Sequence, residues 1–426
     1  MKFIVIGITD SPRPWLPPAL LQVISQGRVF SGGRRHHDIV APLLPRGAQW
    51  IDITAPLDGV FRQYDLAART ADTATIIVFA SGDPLFFGFA NTILRRMPGA
   101  QVEVHPAFNS LQLLAHRLLM PYHDMRIVSL TGRPWPALDR ALIEREAKIG
   151  VLTDREHTPA AIARRMLDYG YTYYNMCVGE HLGNPALERV ATLTLAEAAH
   201  RDFAHPNCAI LVSGAVPGAV PGSQSVASVA RPFGTPDAGF ALLDGREKMI
   251  TKMPIRLLTL QALDLPCRHV LWDVGFCTGS VSVEARLLFP HVHVVAFEVR
   301  RECEALIREN ARRHGAPGIE VHIGDFLQAD TAALTQESAP PDAVFIGGHG
   351  GRLKEMLARV AAVMAPGGVV VMNSVTSPVV QRMTTRPSSR QLWDDACQES
   401  GLVQAPPLRI RLNDYNPIEI LKASKP

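Results

Sequence analysis

One stretch limits the folds open to this chain more than any other. Residues His269–Glu284 read H-V-L-W-D-V-G-F-C-T-G-S-V-S-V-E. An apolar run ends in Asp273, glycines follow at 275 and 279, and a helical pattern starts after Thr278-Gly279-Ser280. Strand, glycine turn and helix in that order belong to a parallel α/β sheet. Backbone N–H groups at the helix start then face a ligand lying above the turn. The spacing is D-x-G-x-x-x-G, not the G-x-G-x-x-G of a dinucleotide site, so a nucleoside ligand is expected.

At 426 residues the chain is too long for one ordinary core, and 47% hydrophobic with 19% charged residues is a globular composition. Lys plus Arg is 43 against 40 for Asp plus Glu, which gives no electrostatic case for nucleic acid. The six cysteines form no C-x-x-C pair, so neither a metal site nor a disulfide framework is expected, and a reducing compartment fits. The first apolar run, Phe3–Ile8, is too short for a signal peptide, and no run is long enough to span a membrane. The expectation is a soluble cytoplasmic protein, homo-oligomeric, with a small-molecule substrate. Residues 214–237 are rich in Pro, Gly, Ser and Ala and repeat A-V-P-G, so they read as a linker between domains 1–213 and 238–426.

In the first half, strands are expected at 2–8, 28–30, 75–80, 102–105, 125–130 and 149–153. Helical periodicity lies at 16–25, 87–97, 109–119 and 158–169. Alternation of this kind predicts a mostly parallel sheet. Gly7 leads into Ile8-Thr9-Asp10-Ser11-Pro12, where Asp10 and Ser11 suit a turn made by local side-chain hydrogen bonds. Arg34-Arg35-His36-His37 either opens a solvated helix or meets substrate carboxylates, which arginine binds in a bidentate manner.

G-G-R-R-H (32–36), A-S-G-D-P-L-F-F-G (80–88), S-L-T-G-R-P (129–134), L-T-D-R-E-H-T-P (152–159) and V-G-E-H-L-G (178–183) resemble the tetrapyrrole methylase family, in its precorrin C5-methyltransferase branch. The resemblance implies a two-lobed α/β fold with S-adenosylmethionine between the lobes, near Gly82, Asp83, Asn109, Ser110, Leu152 and Thr153. On the reading that the basic run meets carboxylates, Arg34, Arg35 and His36 would contact substrate.

In the second half, an amphipathic helix is expected over 249–263 and strands over 292–297, 319–323, 342–346 and 368–373, with a closing pair at 407–412 and 417–422. Glu298 stands 19 residues past Gly279, where an acidic residue holds ribose hydroxyls; a solvated charge is the other reading. I-T-K (250–252), D-V-G-F-C-T-G-S-V-S-V-E (273–284) and F-I-G-G-H-G-G (345–351) resemble the precorrin C15-methyltransferase (decarboxylating) family, a Rossmann-like class I methyltransferase fold. The resemblance implies a second S-adenosylmethionine site from Thr251, Asp273, Gly275, Thr278, Gly279, Glu298, Asp325 and Phe326. Gly348 and His349 would meet substrate, and His349 and Arg352 are the candidate catalytic residues; His349 as a plain loop residue is equally open. Cys277 stands where that family has glycine. It either tilts away from the cofactor or weakens its binding.

Two corrinoid methyltransferase modules on one chain imply a bifunctional enzyme of cobalamin biosynthesis. Its substrate would be precorrin-6Y or its cobalt form, methylated at C5 and C15 with loss of the C12 acetate carboxylate to give precorrin-8X. No metal is required, because the macrocycle itself takes up the electrons of decarboxylation. A NAD-dependent oxidoreductase, or a corrinoid-binding protein active only in its first half, are the alternatives.

Overall fold

A computed structural model describes residues 1–69, 75–214, 231–337, 339–375, 388–412 and 416–426. The chain forms two compact units: Met1–Ala137, Glu146–Leu167 and Thr172–Ala227 in the first, and Leu138–Arg145, Asp168–Tyr171 and Ser228–Pro426 in the second. Most of the expected linker, residues 215–230, lies outside the described residues. Its last part is tied into the second unit, where Thr235 N–H and Oγ1 donate to Glu284 and Asp237 meets Arg256.

The first unit holds two five-stranded sheets. In the first sheet β1 (Lys2–Ile8), β2 (Val29–Gly32), β3 (Gln49–Asp52), β4 (Thr75–Ser81) and β5 (Gln101–His105) run in the order β3-β2-β4-β1-β5. All its pairs are parallel. β1 is apolar from Phe3 onward because both its faces are covered: Phe3 and Val5 join one core, and Ile4, Ile6 and Ile8 the other.

The first half is mostly parallel as expected, but its second sheet is mixed. Its strands β6 (Arg126–Ser129), β7 (Lys148–Leu152), β8 (Tyr174–Glu180), β9 (Arg189–Thr194) and β10 (Asn207–Ser213) run β6-β7-β10-β8-β9, and only β6 with β7 is parallel. β8 follows the helix Pro159–Asp168, but β9 follows β8 through a short turn and so runs back antiparallel.

The second unit has one sheet. β11 (Val270–Val274), β12 (His293–Glu298), β13 (Ile319–Ile323), β14 (Ala343–Ile346) and β15 (Val369–Val375) are parallel in the order β13-β12-β11-β14-β15. β16 (Val403–Gln404), β17 (Leu408–Ile410) and β18 (Ile418–Ser424) complete it. The closing pair is present as β17 with β18, but β18 also inserts antiparallel beside β15 and takes β16 on its other side. Trp272 and Val274 face one core and Leu271 the other, so the apolar run that ends at Asp273 belongs to a doubly covered central strand. The helix expected from 249 begins at Met253, with Pro254 in its first turn, after a 3-10 turn at Glu247–Met249.

Candidate functional site

In the second unit the carboxyl ends of the parallel strands surround a cavity of about 1070 Å³, at the upper end of ordinary ligand pockets. Thr251, Asp273, Gly275, Thr278, Glu298, Asp325, Phe326, Gly348, His349 and Arg352 all line it. Of the residues expected there, Gly279 does not. It opens the helix Ser280–Leu288 from a left-handed conformation, φ 71°. At Gly275, φ 81°, a Cβ would come within 2.8 Å of Gly348 N, so the absence of a side chain lets the β14 loop close against the β11 turn.

Asp273 is fully buried. Ser282 Oγ donates to its Oδ2 at 2.5 Å, while Oδ1 has no partner among the described residues. Burial raises its pKa to about 7; the Ser282 hydrogen bond opposes the rise and the Glu298 charge adds to it. Glu298 is buried too, and accepts from the backbone N–H of Cys277 (3.0 Å) and Val299 (2.9 Å) and from the Arg300 guanidinium (3.0 and 2.7 Å). Burial pushes this carboxyl up, but the Arg300 and backbone hydrogen bonds outweigh it and hold it below the usual range. Glu298 is therefore no solvated charge.

Cys277 has a left-handed backbone, φ 51°, and packs with Leu243, Phe276, Ala296, Cys303 and Ile307 while also lining the cavity. The N–H that points to Glu298 is kept, so the residue supplies the same backbone donor a glycine would. Burial pushes its thiol pKa up, which suits packing and not nucleophilic attack.

Asp325 caps the short turn Phe326–Gln328 through Leu327 N–H and accepts from Arg352 at 2.9 Å. Arg352 also binds Glu355, so its charge is already matched by two carboxylates. His349 Nδ1 accepts Gly351 N–H at 3.1 Å, and burial lowers its pKa, so at neutral pH its proton sits on Nε2. Lys248 and Lys252 line the same cavity and went unnoticed in the sequence, although Lys252 stands inside the I-T-K motif.

In the first unit a second constellation forms at the ends of β1, β2 and β4. A Cβ on Gly7 would overlap the Gly82 carbonyl oxygen and sit 2.7 Å from Ala107 N, so β1 can pass only as glycine. Gly82 in turn abuts Asn109, which caps the helix Ser110–Arg117 in a reciprocal capping box with Gln112. Asp83 Oδ1 accepts Leu85 N–H. Cys208 is buried and pairs in register with Leu152, and Thr153 Oγ1 donates to Asn207 at 2.6 Å. Of the six residues expected around the first cofactor, Gly82 touches Asn109, Ser110 follows it, and Leu152 and Thr153 lie at the end of β7 beside β10.

The basic run is the start of the helix Arg34–Val40. Arg34 is exposed. Arg35 and His36 turn inward onto Ser81, at 2.8 and 2.9 Å. His36 Nδ1 accepts Gly33 N–H, so Nε2 donates to Ser81. Burial, then the Arg35 charge, lowers the His36 pKa to about 4 against the pull of Asp10. Ser11 makes the expected local turn with Arg13, but Asp10 does not share in it. Its buried carboxylate binds Arg35 (2.5 Å) and His181 Nδ1 (2.8 Å) instead. Asp10, Ser81 and His181 were missed as site residues; His181 lies within the quoted V-G-E-H-L-G motif.

Among the described residues no group of His, Cys, Asp or Glu could hold a metal ion, and no helix is long and apolar enough to cross a membrane.

Comparison with known proteins agrees with both halves. Residues 2–199 match the family Tetrapyrrole (Corrin/Porphyrin) Methylases, and residues 244–389 match a precorrin methyltransferase domain. A Sinorhizobium precorrin-6Y C(5,15)-methyltransferase [decarboxylating] is 34% identical over 376 residues, 88% of this chain and 84% of that protein. Two separate Salmonella typhimurium proteins match parts of the chain. A cobalt-precorrin-7 C(5)-methyltransferase is 28% identical over 42% of this chain and 84% of its own length. A cobalt-precorrin-6B C(15)-methyltransferase (decarboxylating) is 35% identical over 31% of this chain and 66% of its own length. These matches favour neither a NAD-dependent oxidoreductase nor a corrinoid-binding protein with one silent half. With the Sinorhizobium enzyme matched over most of both chains, this protein belongs to the precorrin-6Y C5,15-methyltransferase (decarboxylating) family.

Proposed function

We propose that the two units each bind S-adenosylmethionine and act on one macrocycle, precorrin-6Y or its cobalt form, in cobalamin biosynthesis. The first unit methylates C5. The second methylates C15 and releases carbon dioxide from the C12 acetate. The observation that carries the reading is Asp273: a fully buried carboxylate with one oxygen unpartnered, lining a cavity at a helix start. Such an oxygen calls for a donor from the ligand, and the ammonium of the methionine moiety is one.

Bound there, S-adenosylmethionine supplies an electrophilic methyl group. Glu298 takes the ribose hydroxyls in place of the Arg300 guanidinium, while the Cys277 and Val299 amides keep the carboxylate aimed. Phe326 and the Asp325 turn form the adenine wall. The Gly347–Gly351 loop lets a flat acceptor lie against backbone, with Lys248 and Lys252 at hand for its carboxylates and His349 Nε2–H as a hydrogen-bond donor to it. Holding methyl and ring carbon in line is worth ~7–11 kcal/mol, so positioning does most of the work.

The ionised carboxylate pairs with an ammonium far better than the neutral acid does, so cofactor binding favours loss of the Asp273 proton. Affinity at the second site therefore rises by up to about tenfold per pH unit to pH of about 7, levels off, and falls again once the cofactor's own ammonium loses its proton. Asp273→Asn should weaken that site by about 1.5–3 kcal/mol, roughly 10–150-fold in Kd, and flatten the pH profile. Equilibrium dialysis with labelled S-adenosylmethionine on the full chain checks both. Two equivalents bound per chain by the variant, with the wild-type pH profile, would overturn the assignment.

A further inference from the structure

Replacing the hydrogen of a bridging ring carbon by methyl leaves a proton to be removed, and nothing above assigns its acceptor. We propose that His181 is the general base of C5 methylation and that Asp10 positions it. This rests on the reading that the first unit methylates C5.

The groups are brought together from distant parts of the sequence. Asp10 follows β1, Ser81 ends β4, Arg35 and His36 open the helix after β2, and His181 follows β8. The Asp10 carboxylate is buried and divides its oxygens, Oδ1 to Arg35 Nη1 and Oδ2 to His181 Nδ1. A carboxylate accepts, so His181 carries its proton on Nδ1 and presents a lone pair on Nε2. Among the described residues Nε2 has no hydrogen-bond partner, and it is not among the buried unpartnered atoms, so it is open to solvent. The backbone of His181 is left-handed, φ 48°, and its N–H is held by Pro206 O at 2.8 Å. A non-glycine residue kept in that conformation by its surroundings is typical of functional positions. Thr9 packs against Gly183, which fixes the loop that carries Asp10 against the loop that carries His181. The other imidazole in the cluster, His36, spends Nδ1 on Gly33 N–H and Nε2–H on Ser81 and has no free lone pair.

A C5–C bond forms to the methyl group as the S–C bond breaks, and sulfur keeps that electron pair. The C5–H bond then breaks, its pair returns to the ring, and the proton passes to His181 Nε2. The imidazolium so formed lies 2.8 Å from the Asp10 carboxylate and later yields its proton to water.

The test uses the full chain, in which C15 methylation by the second unit is an internal control. His181→Gln keeps a hydrogen-bond donor for Asp10 but cannot act as a base at Nε2. C5 methylation should fall about 10²–10⁴-fold, with C15 methylation and carbon dioxide release retained. The product is then a singly methylated, decarboxylated macrocycle by mass spectrometry. Substrate deuterated at C5 should react with a larger isotope effect in the variant. A readout independent of turnover is ¹⁵N NMR of the imidazoles, in which His181 should be protonated at Nδ1 and Asp10→Asn should abolish that preference. Retention of two S-adenosylmethionine equivalents per chain shows that the variant is folded. If the wild type methylates C5 and His181→Gln does so equally fast, or if Nδ1 is the unprotonated nitrogen, the inference is overturned. A wild-type chain that never methylates C5 overturns the C5 reading as well.

Discussion

Exchanging Arg256 for leucine should destabilise the second unit by about 3–5 kcal/mol, the cost of leaving a buried carboxylate without its cation. Arg256 is fully buried and Glu284 is 1% exposed. Its guanidinium reaches Glu284 and Asp237, each at 3.1 Å, and the carbonyl of Thr251 at 2.6 Å, and it also bonds the carbonyl of Thr235; it lies over the Phe240 ring. Trp272 and Trp393 are buried in this unit, so their emission follows its unfolding in urea. The double change Arg256→Met with Glu284→Leu should recover most of the loss, because a buried ion pair replaced whole by apolar groups is close to neutral. If the double variant is as unstable as the single, the damage lies in the freed carbonyls and not in the charge. Since Arg256 holds the carbonyl of Thr251, which lines the cavity, the single variant should also bind S-adenosylmethionine more weakly at the second site.

Gly7→Ala should have the largest effect in the first unit. The added Cβ meets the backbone of Gly82 and Ala107, which cannot rotate aside as a side chain would. Overpacking typically costs about 1–3 kcal/mol, and rigid obstacles put this site at the upper end. The resulting shift moves Gly82 against Asn109. A misplacement of about 1 Å is enough to cost about 100-fold in rate. C5 methylation should therefore fall by that factor or more while C15 methylation continues, and mass analysis of the product separates the two. Equal C5 rates in variant and wild type would show that the β4 loop can move without consequence.

What the sequence conveyed follows from how local each signal is. β1, β4 and β11 are covered on both faces and read as apolar runs; the glycine turn after β11 is a spacing within seven residues. β8 and β9 were opaque for opposite reasons. β8 is wholly buried yet contains Asn175 and Glu180, whose polar groups are satisfied by Gly214 O and Ala204 N. β9 is an edge strand with an exposed start, R-V-A-T-L-T, and little apolar signal. The same holds for the sites. Asp273 and Glu298 declared themselves by position relative to glycines. Asp10 looked like a turn former because its partners lie 25 and 171 residues away, and only the folded chain brings Arg35 and His181 to it.

The placement of β18 has a consequence in time. β15 presents Val369–Met372 to it, and roughly 40 residues of chain separate the two strands. During synthesis at about 5–20 residues per second, β15 therefore waits several seconds with one edge unpaired. An apolar edge is a template for the wrong strand. The order in which the ribosome delivers this sheet thus leaves the apolar edge of β15 open to mispairing until β18 arrives.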